Sequence, residues 1–101
     1  MREMMIRFAI IVGMFTMALP AQASLRVVAS MPDYAALAKA VGGDYVEVTS
    51  LANASQDPHY VDAKPSYVVA LNRADLVIFN GLELEVGWMP TLLVQARNPN
   101  L

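Results

Sequence analysis

Asp57-Pro58-His59-Tyr60 is the segment of this chain best suited to chemistry. His59 is the one histidine among 101 residues. Its neutral imidazole is a ligand of borderline softness that suits zinc, manganese or iron. Pro58 locks its own φ and pushes Asp57 toward extended geometry, so the approach to His59 is stiff. Asp57 has two available roles. It can accept a hydrogen bond from the ring N–H of His59 and orient a metal-binding imidazole, or close a local Asx turn, the simpler of the two. One imidazole cannot make a metal site. By chemistry alone, a surface histidine without a role is the simpler account of His59.

Other polar and aromatic residues have plain structural readings. Glu83 and Glu85 could offer carboxylate ligands, yet complementing the dipole of a following helix explains them more simply. Trp88 and Met89 at a helix start are expected to pack rather than to line a cleft. Tyr34, Tyr45 and Tyr67 form no aromatic cluster in the sequence. No G-x-G-x-x-G, phosphate-loop Lys or G-x-S-x-G pattern is present. The chain has no Cys, which excludes a disulfide scaffold, a thiolate zinc site and a cysteine nucleophile, and on this reading a lipoprotein anchor as well.

Three strand–helix units must position the Asp-Pro-His segment. Leu25–Ala29 (LRVVA) is a short Val-rich run that suits a strand buried on both faces. Ser30-Met31-Pro32-Asp33 reads as a helix start, with Ser30 as cap and Pro32 in the first turn. Tyr34, Leu37, Ala38 and Val41 follow at helical spacing as an inward stripe, and Gly42-Gly43 ends the helix. Tyr45, Val46, Val48 and Leu51 mostly alternate, as in a partly exposed strand. A polar loop runs from Ala52 to Lys64. Pro65-Ser66 opens a second helix with Val68, Val69 and Leu71, and Leu76–Phe79 is the third strand, stopped by Asn80-Gly81. A third helix is expected from about Val86 to Arg97, with Leu92, Leu93 and Ala96 inward. This alternation predicts an α/β fold with a parallel sheet. Ligands then belong at the carboxyl ends of the strands, at Ser30–Met31, Ala52–Lys64 and Asn80–Glu85.

Residues 1–23 read as a separate, cleaved leader. Arg2 and Arg7 precede an uncharged apolar run from Phe8 to Leu19, and Ala21-Gln22-Ala23 supplies small residues at a cleavage site. Twelve helical residues span roughly 18 Å, short of the roughly 30 Å hydrocarbon core, so a membrane span is the weaker reading. The expected product is exported to the periplasm, soluble and mildly acidic. Overall the chain carries 7 Lys+Arg against 9 Asp+Glu, a net charge of −2, with no basic footprint for nucleic acid.

The ordered set Val27-Val28-Ala29-Ser30, Val41-Gly42-Gly43-Asp44, Asp57-Pro58-His59-Tyr60, Lys64-Pro65-Ser66, Ala74-Asp75-Leu76-Val77, Asn80-Gly81 and Leu84-Glu85 resembles the periplasmic zinc/manganese-binding proteins of metal ABC transporters. The resemblance covers essentially all of residues 24–101. It implies that His59 is the first ligand of a divalent metal, zinc first and manganese next. It also implies an incomplete N-terminal lobe over 24–101, remaining ligands from segments beyond Leu101, and delivery to a membrane permease by a monomer. Family members often read H-x-[YF]-E-P-x-P-S, whereas here Asp62 and Ala63 stand in the E-P positions. Those changes can shift the loop but leave the histidine in place. An exported α/β enzyme using Asp57 and His59 as an acid–base pair, or in a metallohydrolase site, remains the alternative, as does a receptor for an iron chelate or haem.

Overall fold

A computed structural model describes Glu3 and residues 24–101 of the chain. The leader expected over residues 1–23 therefore lies, Glu3 apart, outside the described residues. The elements are β1 (Leu25–Ala29), α1 (Pro32–Gly42), β2 (Val46–Ser50), α2 (Pro65–Arg73), β3 (Leu76–Ile78) and α3 (Met89–Ala96). A 3₁₀ turn over Gly43–Tyr45 links α1 to β2. Tyr45, expected to open the second strand, lies in that turn, and the strand starts one residue later.

The sheet is parallel throughout, in the order β2-β1-β3. This is the α/β architecture that the strand–helix alternation predicts. β1 is central because its backbone bonds on both sides, and its Val27, Val28 and Ala29 are all buried. Successive side chains point to opposite faces. Val28 and Val77 belong to the face covered by α2 and α3, where Leu71, Met89 and Leu92 complete a core with Leu51, Val61 and Trp88. Leu71 and Leu92 are fully buried, each contributing about 1.5–3 kcal/mol on that account. Asn98 fastens the far end of this layer, its amide donating to the carbonyls of Leu71 and Ala74 at 2.9 and 2.8 Å.

The opposite face is thinly covered. Leu25, Val27, Leu76 and Ile78 share an open apolar groove with Tyr34, Leu37, Ala38 and Val41 of α1. The helical stripe is on the side expected, but Leu37 is 63% and Val41 89% exposed. A helix is only about 10–12 Å wide. α1 covers the β1–β2 side of the sheet and leaves the β3 side open.

Helix boundaries show where local signals were outvoted. Ser30 does not cap α1: Met31 occupies the cap position, with no side-chain bond to the helix, while Ser30 is buried and turned elsewhere. α3 starts three residues later than the apolar pattern suggests, because residues 82–88 form turns. It ends on Arg97, which takes the left-handed conformation at φ 49°.

Candidate metal-binding site

All three loops named by the topology meet at the carboxyl ends of the strands. Ser30, just past β1, donates its backbone N–H to Ile78 O at 2.8 Å and accepts from Ala52 N at 3.0 Å. Its hydroxyl donates to Glu85 Oε1 at 2.8 Å in a buried contact. The same carboxylate accepts the backbone N–H of Asn80 at 2.7 Å on Oε1 and that of Gly81 at 3.0 Å on Oε2. Glu85 is 2% exposed, and three donors are what a buried carboxylate needs. It clasps the loop after β3 to the end of β1. That loop contains three successive positive φ angles, Gly81 at 73°, Leu82 at 53° and Glu83 at 68°. The clasp holds two non-glycine residues in a region that costs about 1–3 kcal/mol each. The reading of Glu85 as a dipole partner for α3 is therefore corrected: its carboxylate faces β1 and the loop.

The Asp-Pro-His segment is stiffened from within and tied down from outside. Asn53 accepts the N–H and hydroxyl of Ser55 at 3.0 and 2.7 Å, and Tyr60 N donates to Asp57 O at 3.0 Å. Asp57 Oδ1 accepts the backbone N–H of His59 at 2.9 Å and pairs with its ring Nδ1 at 2.8 Å. The Asx turn and the oriented ring, set against each other by sequence reasoning, are thus made by one oxygen. The backbone N–H of His59 and, next, its ring hold the Asp57 carboxyl below its ordinary value of 3.8. A carboxylate only accepts, so Nδ1 carries the proton and the lone pair of a neutral ring sits on Nε2. Nε2 makes no hydrogen bond among the described residues, and the side chain is 58% exposed. The ring is oriented, unpaired at its basic nitrogen, and open to solvent.

On either side of His59 the backbone is anchored. Val61 is buried in the core, and the Trp88 indole N–H donates to Pro58 O at 2.7 Å. Trp88 and Met89 pack as expected, at 4% and 2% exposure, but the indole also holds the loop. No three His, Cys, Asp or Glu side chains come together as a metal cage among the described residues. His59 and Asp57 are adjacent; Glu83 and Glu85 do not join them. Sequence reasoning missed the Ser30–Glu85 clasp and the indole contact, whose partners are 55 and 30 residues apart.

The lobe thus presents a carboxylate-backed imidazole near the carboxyl ends of its strands. Residues 27–101 match the family described as "ZnuA: Zinc-uptake complex component A periplasmic", and the chain belongs to that family. It is 34% identical over 76 residues to the manganese ABC transporter substrate-binding lipoprotein PsaA of Streptococcus anginosus, covering 72% of this chain and 25% of that protein. It is equally similar, at 34% over 76 residues, to the iron ABC transporter substrate-binding lipoprotein MtsA of Streptococcus pyogenes serotype M1, covering 72% and 24%. A zinc-bound deletion mutant of ZnuA superposes with a TM-score of 0.70 at 29% identity, over 78% of this chain and 30% of that one. The chain thus spans about a quarter of the length of the curated relatives it matches. These relatives are named as substrate-binding proteins, not as enzymes.

One expectation is corrected here. Both PsaA and MtsA are named lipoproteins, which overturns the exclusion of a lipid anchor drawn from the lack of Cys. A cysteine count over a quarter of a protein's length is no test of how the whole is held at a membrane.

Proposed function

We propose that this chain supplies the first lobe of a substrate-binding protein that captures a divalent transition metal and hands it to a membrane permease. In this reading His59 is a metal ligand through Nε2, and Asp57 is its orienting carboxylate. The observation that carries it is the Asp57–His59 pair. A metal-bound imidazole ordinarily donates its other N–H to a carboxylate; Asp57 accepts that hydrogen bond from Nδ1, and the side chain is largely exposed. An acid–base pair would need a nucleophile or substrate pocket beside it. Among the described residues, the His59 ring is paired with Asp57 of its own loop and is otherwise largely exposed.

The remaining ligands come from outside residues 24–101, which is consistent with the chain spanning about a quarter of PsaA and MtsA. The metal is carried without chemistry, in a shell of nitrogen and oxygen donors. Zinc is the first candidate, being the ion in the family's description and in the solved ZnuA complex. Manganese is the second, being the ion in the name of PsaA. Calorimetric titration of the full-length protein with each ion, with His59→Ala beside it, tests the reading. Tight binding by the parent and its loss in His59→Ala is the expected result; equal binding by both overturns it. The isolated 101 residues are expected to bind either ion poorly.

A further inference from the structure

We propose that Trp88 is a positioning residue for metal capture: its indole N–H, bonded to the Pro58 carbonyl, sets where the His59 imidazole stands. This rests on the assignment of His59 as a ligand. A buried indole N–H requires an acceptor, and here the acceptor is the carbonyl immediately before the His59 amide, at 2.7 Å. Trp88 is itself held fast. Its backbone N–H donates to Glu85 O at 3.2 Å, its carbonyl accepts from Leu92 N at 3.3 Å, and its ring lies in the core among Met89 and Leu92.

The loop, by contrast, has few such ties. The bonds at Asn53, Ser55, Gln56, Asp57 and Tyr60 are all local. They shape the loop without fastening it to the lobe. The indole bond is one of the few that do so next to His59. Gly87, in the same turn, permits this close approach, since a Cβ there would stand 3.3 Å from His59 O. The turn that leads into α3 therefore sets the height and tilt of the His59 backbone through the Trp88 indole. Asp57 then fixes the ring on that backbone. Ligand sites tolerate errors of only about 0.5 Å, so releasing the Pro58 carbonyl acts on affinity even though Trp88 touches no metal.

The test replaces Trp88 in the full-length protein with benzothienylalanine, which keeps the bicyclic ring and replaces N–H by sulfur, and separately makes Trp88→Phe and Gly87→Ala. Zinc and manganese affinities are read by competition with a chelating dye, and stability of the metal-free protein by thermal unfolding. Roughly tenfold weaker binding is expected for the sulfur isostere, with a metal-free Tm within about 2 °C of the parent. Gly87→Ala is expected to weaken binding in the same direction, and it carries the test should Trp88→Phe fail to fold. Unchanged affinity in the isostere overturns the proposal, as does a loss that merely tracks the metal-free Tm. His59→Ala separates the two levels. If it loses binding while the isostere does not, only the positioning role fails; if it binds like the parent, the ligand reading fails as well.

Discussion

Replacing Glu85 by alanine removes the shared acceptor of three donors, the Ser30 hydroxyl and the Asn80 and Gly81 backbone N–H groups. A hydrogen bond to a charged group contributes about 1.5–3 kcal/mol, so three nominally sum to about 5–9 kcal/mol. The net loss is smaller for two reasons. Water reaches the two half-buried backbone donors once the carboxylate is gone, and the positive-φ turn at Leu82 and Glu83 sheds its strain when released. The expected destabilisation for Glu85→Ala is therefore about 3–5 kcal/mol, a large share of a typical margin of about 5–15 kcal/mol. Ser30→Ala breaks only the buried hydroxyl bond and leaves the backbone donors satisfied, so about 1–2 kcal/mol is expected. Glu85→Gln falls between them, because its amide keeps one good acceptor but turns an NH₂ toward a backbone donor. Urea unfolding of the full-length protein, followed by circular dichroism at constant m-value, measures the series. A loss below about 1 kcal/mol for Glu85→Ala, or a larger loss for Ser30→Ala than for Glu85→Ala, would refute the clasp.

The Asp57 carboxyl is held below 3.8 by the His59 backbone N–H and ring. A group whose folded pKa is depressed contributes above its unfolded value and loses that contribution as pH falls through the folded pKa. The His59 amide proton, followed by NMR in acid titration, is therefore expected to shift with a midpoint below 3.8, and a midpoint at or above that value contradicts the turn. Asp57→Asn is expected to weaken metal binding about 10- to 100-fold by depriving the ring of its carboxylate, as dye competition would read. Leu71→Ala, in the fully buried centre of the α2–α3 layer, is expected to cost about 2–5 kcal/mol in the same urea assay.

What could be read from residues alone follows the range of the forces involved. β1 was legible to the residue because Leu25–Ala29 is apolar enough for a strand buried on both faces. The Asx turn was legible because its partners are two residues apart. Ser30 was misread for a physical reason. A serine three residues before an acid is a sound local cap signal, but a buried carboxylate 55 residues away competes for the hydroxyl and wins. Leu37 and Val41 show the complementary limit: periodicity assigns a helical face, while burial depends on what lies over that face. Glu85 and Trp88 carried no local mark of their partners, since chain folding alone brings Ser30 and Pro58 to them. The candidate ligand and its Asp57 partner lie in one local segment, whereas the indole bond that holds their loop is tertiary.

Whether His59 binds the metal is decided by a crystal structure of the full-length protein grown with zinc, with anomalous scattering collected at the metal edge. The expected density is an ion about 2.0–2.1 Å from Nε2 of His59, with Nδ1 still bonded to Asp57 and Trp88 still donating to Pro58 O. An ion bound elsewhere, with the His59 ring left facing solvent, would contradict it.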